Sequence, residues 1–194
     1  DLSGFCVGVV DRPKMIDGAL LAEGDVLLGV ASSGLHSNGY SLVRAALTDR
    51  LSADELLAAR DDLDGDSLVD ALLAPTRIYA RAVASLSEER VPVSAISHVT
   101  GGGITENVNR PLPDDLDAVV ELGSWPVPRV IEVVRDAAGL TDEEAYKTFN
   151  MGIGLVVAVR PEDADAARAA LESVGESVFT IGSVEAGTGK VVYR

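Results

Sequence analysis

One stretch constrains the fold of this chain more than any other: residues 24–44, GDVLLGVASSGLHSNGYSLVR. Its segment Val26–Ala31 is an almost unbroken apolar run of strand length, which is typical of a strand covered on both faces. From Tyr40 the apolar period becomes helical, because Val43 and Leu47 fall on the same face. The stretch therefore predicts a buried strand that runs through a short polar loop into a helix.

The loop of this unit has the composition of an anion site. Gly34 and Gly39 allow the backbone to approach a ligand closely, and Ser37 or Asn38 is predicted to cap the helix. Free N–H groups at a helix start, together with the helix dipole, favour phosphate. Taken alone, the loop fits a capped turn without a ligand better, so the other segments must decide.

Composition limits the possible functions. The single cysteine, Cys6, lies in an apolar run and is expected to be a small buried residue. With His36 and His98 as the only histidines, one chain cannot assemble a zinc site of the usual Cys/His type, and no metal ligand is assigned. The net charge of −15 opposes binding to nucleic acid and to anionic membranes.

Length and the chain start bear on domain organisation and location. The 194 residues fit a single domain, assigned to residues 1–194. No apolar run reaches membrane-spanning length and no segment resembles a signal peptide, which predicts a soluble cytoplasmic protein. Because the chain starts at Asp1 and enters an apolar run at once, we expect it to be a piece of a longer polypeptide.

Strand-like and helical segments alternate along the sequence. The predicted strands are residues 5–10, 26–31, 94–99, 118–122, 153–159, 178–184 and 191–193. The predicted helices are residues 40–47, 53–59, 68–73, one with Ile78, Ala82 and Leu86 on one face, a short one ending near 108, 128–138 and one after Pro161. This alternation predicts an α/β (α+β) fold, a single layered domain in which helices flank a mixed sheet of about six strands.

A second segment also places glycines between a predicted strand and a predicted helix. In SHVTGGGITENVNR, residues 97–110, the run Gly101, Gly102 and Gly103 separates a strand from a helix. Glycines cost backbone entropy, so we interpret the run as a close approach to a ligand, with N–H groups forming an anion nest. The alternative is tight packing of helix on strand.

Two further segments add candidates. Asn150 and Gly152 precede a strand in TFNMGIG, where the glycine marks either a ligand contact or a bulge. Arg77 follows Pro75 and Thr76, and its planar guanidinium suits a phosphate clamp, although an ion-paired arginine is the simpler interpretation.

Four motifs in series resemble one family. ASSGLHSNGYSLVR, LLAPTRIY, SHVTGGGITENVNR and TFNMGIG, in this order, are similar to the C-terminal domain of aminoimidazole ribonucleotide synthetase, also called phosphoribosylformylglycinamidine cyclo-ligase. The resemblance covers essentially the whole chain. One departure is Asn109, where the family commonly has a proline before the arginine.

The resemblance implies an ATP-dependent cyclo-ligase of purine (IMP) biosynthesis. In that reaction ATP phosphorylates the formyl amide oxygen of formylglycinamidine ribonucleotide, an amidine nitrogen attacks, and phosphate leaves as 5-aminoimidazole ribonucleotide forms. The family implies ATP and Mg²⁺ as cofactors, held largely by an N-terminal ATP-binding domain absent from this chain. It also implies a homodimer in the full-length protein. The isolated chain is therefore predicted to fold but not to catalyse.

The resemblance also implies the site. His36 is the catalytic candidate: it either donates an N–H to a phosphate oxygen or shuttles a proton, and binding is favoured. The implied substrate- and phosphate-binding residues are Ser33, Gly34, Ser37, Asn38, Gly39, Arg77, Thr100, Gly101, Gly102, Gly103, Asn107, Asn150 and Gly152.

Other functions fit the same motifs. Formylglycinamidine ribonucleotide synthetase, selenophosphate synthetase, thiamin-monophosphate kinase and a hydrogenase maturation factor share the domain design and use ATP. HSNGYS together with TFNMG favours the cyclo-ligase. A reading from another class is a non-catalytic phosphate-binding scaffold.

Overall fold

One six-stranded sheet forms the centre of the computed structural model, which describes residues 4–194. Its strands are β1 (Val26–Ala31), β2 (Ala95–His98), β3 (Leu116–Val120), β4 (Ile153–Val159), β5 (Val178–Ala186) and β6 (Val191–Tyr193). Their spatial order is β2-β4-β1-β5-β3-β6. All neighbours pair antiparallel except β3 and β6, which are parallel, so the predicted mixed sheet is confirmed.

Helices cover both faces of this sheet. They are α1 (Tyr40–Val43), continued by a π-helical turn (Arg44–Thr48), α2 (Ala53–Leu57), α3 (Leu68–Leu72), α4 (Ala80–Glu88), α5 (Gly103–Asn109), α6 (Arg129–Ala138), α7 (Asp142–Thr148) and α8 (Ala164–Ser173). Short 3₁₀ turns occupy Arg12–Lys14, Asp61–Leu63 and Pro161–Asp163.

The strands divide their side chains between two apolar layers because successive residues point to opposite faces. Leu28 and Val30 of β1 pack with α4 and α8, whereas Leu27 packs in the layer that contains α1, α3, α5, α6 and α7. Every residue of β4 is buried, as expected for a strand covered on both sides. The apolar runs at residues 26–31 and 153–159 are therefore strands for the predicted reason.

The pairing register places three loops at one edge of the sheet. In the β1–β4 pair Ala31 lies opposite Ile153, and in the β2–β4 pair His98 lies opposite Leu155. The carboxyl ends of β1 and β2 therefore meet the amino end of β4. The loops that follow β1 and β2 and the loop that precedes β4 must consequently be neighbours.

The strand predicted for residues 5–10 is wrong. This segment forms no strand in the described structure, and Phe5, Val7 and Val9 are almost fully exposed. Cys6, predicted to be buried, is exposed as well. A continuous apolar run supplies strand propensity, but a strand also needs a partner for its backbone N–H and C=O groups, and no described strand pairs with this segment.

Three local predictions need correction. Gly39, with φ of 76°, caps α1 instead of Ser37 or Asn38. The helix predicted to include Ile78 begins only at Ala80, and Ile78 is exposed. The backbone N–H of Arg77 donates to His36, so this part of the chain is bonded to the loop that follows β1 and not to a helix. Helix α7 was not predicted.

Candidate functional site

Three loops form the candidate site: the first loop (residues 32–39), the glycine loop (residues 99–103) and the third loop (residues 149–152). Their contacts are direct. The N–H of Ser32 donates to the carbonyl of Gly152 at 2.8 Å, which ties the first loop to the third. The carbonyl of Phe149 lies so close to Gly103 that a Cβ there would be 2.7 Å away, so the third loop also touches the glycine loop.

Asn150 holds the first and third loops together. Its side chain is fully buried, and its Nδ2 donates to the carbonyl of Gly34 at 2.8 Å. Its Oδ1 accepts the N–H of Gly152 at 2.9 Å and the hydroxyl of Ser32 at 3.3 Å. The structure thus places Asn150 in the site, with its polar atoms bonded to the loops themselves.

The side chain of Asn107 likewise holds the glycine loop by hydrogen bonds to its backbone. Its Nδ2 donates to the carbonyls of Thr100, Gly101 and Gly103 at 3.2, 3.1 and 2.8 Å. Its Oδ1 accepts the hydroxyl of Thr100 at 3.1 Å. Within the described chain, by contrast, the N–H groups of Gly101 and Gly102 have no acceptor. The carboxylate of Glu106 lies against Gly102, so the N–H of Gly101 is the one open to an anion.

The glycines at this edge serve close approach. Gly39 lies against the ring of Phe149, which a Cβ would overlap, and a Cβ at Gly152 would lie 2.6 Å from the ring of Pro128. Gly101 differs, because its Cβ would meet only the amide oxygen of Asn38, at 3.7 Å. The space beside Gly101 is open, and it faces the first loop.

A fourth segment, residues 75–77, borders the first loop. The hydroxyl of Ser33 donates to the carbonyl of Pro75 at 2.6 Å, and the hydroxyls of Ser37 and Thr76 are 3.0 Å apart. The guanidinium of Arg77 is engaged elsewhere: its Nε donates to Glu176 at 2.6 Å, and another of its nitrogens donates to the carbonyl of Gly175 at 2.7 Å. The predicted phosphate clamp is thus an ion pair in this structure.

His36 sits at the centre of these contacts. It is buried, and its backbone is left-handed, with φ of 58°. Its Nε2 accepts the N–H of Ser33 at 3.1 Å and that of Arg77 at 3.4 Å, which places the ring proton on Nδ1. That buried Nδ1 has no partner among the described residues. Burial, followed by the charges of His98 and Arg77, lowers the pKa of His36 to about 4.

The buried His36 should make the fold sensitive to acid. Its pKa is about 4 in the folded chain and about 6.5 when unfolded, so the unfolded state binds the proton first and stability falls as pH drops through this window. Between pH 7 and pH 5 we expect a loss of about 2 kcal/mol, measured by urea unfolding. His36→Asn should flatten this slope, whereas His98→Asn, which changes an exposed ring, should keep most of it. An unchanged slope in His36→Asn contradicts the assignment.

Sequence reasoning missed two aromatic residues that support the site. Tyr79 lies between the rings of His36 and His98, with centroid distances of 6.2 and 5.9 Å, and its hydroxyl donates to the carbonyl of Ala31 at 2.7 Å. The Nε1 of Trp125 donates to the carbonyl of Met151 at 2.8 Å and so holds the third loop. Trp125 lies in none of the four motifs, and Tyr79 ends the motif LLAPTRIY, which indicated no contact between its ring and the two histidines.

The described residues contain neither a metal-binding cluster nor a membrane-spanning helix. No three histidine, cysteine or carboxylate side chains come together in an arrangement that could hold a metal ion. No helix in this part of the chain is long and apolar enough to cross a membrane.

The same fold is found in solved structures of other proteins. The chain is similar to thiamine-monophosphate kinase from Stenotrophomonas maltophilia K279a, with a TM-score of 0.64 and 20% identity over 95% of this chain and 54% of that one. It is similar to the hydrogenase maturation protein HypE in complex with ATP, with a TM-score of 0.63 and 22% identity over 95% and 51%. At these identities the similarity defines the fold alone.

Sequence comparison identifies the family. Residues 22–194 match the model of the AIR synthase related protein, C-terminal domain, and the chain belongs to this family. It is 49% identical to the phosphoribosylformylglycinamidine cyclo-ligase of Brevibacillus brevis over 100% of this chain and 55% of that protein. The cyclo-ligase of Anaeromyxobacter sp. (strain K) is 52% identical over 96% and 53%. The chain therefore spans about half the length of these curated relatives.

Proposed function

We propose that the chain is the C-terminal, substrate- and nucleotide-binding half of a phosphoribosylformylglycinamidine cyclo-ligase. The proposal rests on one observation: the chain is 49% and 52% identical in sequence to two enzymes of that name, over 100% and 96% of its length. The convergence of the first, glycine and third loops supports it, because the reaction transfers a phosphoryl group and needs anion donors. The fold alone would fit thiamine-monophosphate kinase or HypE equally well, so the sequence identity to the cyclo-ligases is what favours the cyclo-ligase function.

The loops would stabilise anionic groups by position. The reaction needs the phosphoryl group of ATP held next to an amide oxygen and the developing charge neutralised. The unbonded N–H group of Gly101 can donate to a phosphate oxygen, and the hydroxyls of Ser33 and Ser37 border the same edge. These donors suit a protein with a net charge of −15, because they act locally and do not rely on the overall field.

We propose a positioning role for His36. A pKa near 4 leaves the ring neutral at pH 7, and two backbone N–H groups already occupy its Nε2. A ring so engaged fixes the first loop against residues 75–77 and is poorly placed to shuttle a proton. Replacing it by Asn in the complete enzyme should therefore weaken substrate binding more than turnover.

We assign the Mg²⁺ cofactor and the homodimer contacts to the part of the complete protein outside these 194 residues. Mg²⁺ is the ion that phosphoryl transfer of this kind requires, and the described residues offer no group of three ligands for it. As the family resemblance implies, we assign Mg²⁺ and most ATP contacts to an N-terminal ATP-binding domain, whose docking would complete the cleft. We also assign the family homodimer to the complete protein.

Reconstitution tests the proposal. The isolated 194-residue chain should show no ATP-dependent formation of 5-aminoimidazole ribonucleotide, because half of the site is missing. Adding the separately produced N-terminal half of the Brevibacillus brevis relative should restore activity, measured by product formation. Activity of the isolated chain contradicts the division of labour. If the reconstituted protein does not convert formylglycinamidine ribonucleotide but phosphorylates thiamin monophosphate, the proposed cyclo-ligase function is wrong.

A further inference from the structure

The first loop contains a chemically labile dipeptide, Asn38-Gly39. The backbone nitrogen that follows an asparagine can attack the side-chain amide carbon, and a glycine at that position hinders the attack least because it has no Cβ. The chain contains four asparagines, and only Asn38 precedes a glycine. Its sequence context therefore favours loss of the amide at Asn38 over loss at the other three.

The structure leaves this dipeptide free to react. Asn38 and Gly39 lie outside the helices and strands of the described chain, and Asn38 is only half-buried. Among the described residues the N–H of Gly39 has no acceptor, and the side chain of Asn38 makes no hydrogen bond. The amides of Asn107 and Asn150, by contrast, are bonded to loop backbone. Both reacting groups of the dipeptide are thus unrestrained by hydrogen bonds in this part of the chain.

The fold requires glycine at position 39. Gly39 has a φ of 76°, and a Cβ there would overlap the ring of Phe149, which is fully buried. A residue with a side chain would slow the attack on Asn38, but it would strain the backbone and displace that ring. The labile dipeptide is consequently a by-product of the packing that holds the first loop against the third loop.

Loss of the amide would change the charge beside the phosphate donor. The amide oxygen of Asn38 lies 3.7 Å from a Cβ built on Gly101, and the N–H of Gly101 is the donor open to an anion. A carboxylate in place of the Asn38 amide would add a negative charge at this position. Like charges this close repel each other, so a phosphate would bind there less well.

We propose that Asn38 is a modification site, at which spontaneous deamidation converts the first loop from a phosphate-binding to a phosphate-repelling state. The backbone nitrogen of Gly39 attacks the Cγ of Asn38, the C–N bond of the side-chain amide breaks, and its NH₂ leaves with the backbone proton as ammonia. Water then opens the resulting succinimide to aspartate or isoaspartate. The net reaction consumes one water, releases one ammonia and involves no oxidation. The effect on phosphate rests on the proposed function, whereas the modification itself does not.

Mass spectrometry of tryptic peptides tests the modification in the 194-residue chain. Cleavage after Lys14 and Arg44 yields residues 15–44, a peptide in which Asn38 carries the only side-chain amide. During storage of the folded chain in mildly alkaline buffer, this peptide should steadily gain the mass difference between a hydroxyl and an amino group. A peptide that keeps its original mass would overturn the proposal.

The other asparagines are internal controls in the same digest. Because trypsin leaves bonds to proline intact, Asn107 and Asn109 fall in the peptide of residues 91–129, and Asn150 falls in that of residues 148–168. Neither peptide should change in mass while the peptide that contains Asn38 is converted. Conversion of all three peptides at the same rate would show that the first loop has no special reactivity.

The variant Asn38→Asp, which is one product of the reaction, measures the effect on the site. Combined with the N-terminal half of the Brevibacillus brevis relative, it should have a kcat/KM about tenfold or more below that of the parent chain, the loss expected from one like charge near a bound phosphate. Ser87→Asp is the matched control, because Ser87 is exposed in the last turn of α4 and gains the same charge away from the first loop. An unchanged kcat/KM in Asn38→Asp, or an equal loss in Ser87→Asp, would contradict the effect on phosphate.

Storage connects the two measurements. Activity of the stored parent chain should fall in proportion to the converted fraction, whereas Asn38→Ser, which has no amide to lose, should keep its own initial activity. Thermal unfolding before and after storage shows that the chains are still folded. An equal decline in Asn38→Ser would refute the link between deamidation and activity. If the freshly prepared parent makes no 5-aminoimidazole ribonucleotide after reconstitution, the proposed function fails, and the mass of the peptide with Asn38 still decides the modification.

Discussion

Replacing Gly103 by alanine is expected to destabilise the fold by about 3 kcal/mol, the sum of overpacking and backbone strain. The new Cβ would lie 2.7 Å from the carbonyl oxygen of Phe149 and closer still to that of Tyr146. Both are backbone atoms, so neither can rotate away. Gly103 also has φ of 61°, a left-handed conformation that costs alanine energy. Relief requires α5 to move away from α7, which would open the site between the glycine loop and the third loop.

Gly101→Ala is the matched control for this prediction. Gly101 is not among the glycines with positive φ, and its Cβ would make only an ordinary contact with Asn38. Urea unfolding should therefore give a stability within about 1 kcal/mol of the parent chain. The added methyl does, however, project into the open space where a phosphate would approach, so reconstituted activity should fall. Equal stability losses in the two variants would show that the Gly103 contact is not the constraint we describe.

The sequence predicted elements well where local pattern and tertiary packing agree. β1 and β4 are continuous apolar runs, and both are strands covered on two faces. Residues 5–10 carry a similar pattern and form no strand, because pattern reports propensity and pairing depends on a partner elsewhere. Helix α7 was missed because its sequence is mostly polar. Its signal was the capping box of Thr141 and Glu144, which is present in the structure.

The sequence indicated which loops are neighbours but not what their side chains contact. The glycine motifs predicted that the first and glycine loops adjoin a ligand, and the register of β1, β2 and β4 brings those loops together. An asparagine beside a glycine serves equally well as a ligand contact or as a backbone anchor, since both uses need an amide. Only the fold reveals that Asn107 and Asn150 bond to loop backbone. Likewise, the partner of Arg77, Glu176, is 99 residues away in sequence.

Asn150→Ala is expected to cost about 3 kcal/mol, because it leaves one buried backbone N–H without an acceptor and removes one of the two donors to a buried carbonyl. The N–H of Gly152 loses its acceptor in a position with no solvent access, and the carbonyl of Gly34 keeps only the hydroxyl of Ser32, at 2.8 Å, as a donor. Asn150→Asp keeps the acceptor but directs a carboxylate oxygen at the Gly34 carbonyl, so it should be similarly destabilising at pH 7.

Asn109→Ala is the matched control for Asn150, since Asn109 is exposed at the end of α5 and its side chain makes no hydrogen bond with the described residues. Its unfolding free energy should change by about 0.5 kcal/mol or less. Hydrogen exchange adds a local measurement: Asn150→Ala should speed exchange in the first and third loops more than in β5, because the amide joins those two loops. If Asn150→Ala costs no more than Asn109→Ala, the two loops are held together by other contacts, and the anchor that we assign to Asn150 is not what orders the site.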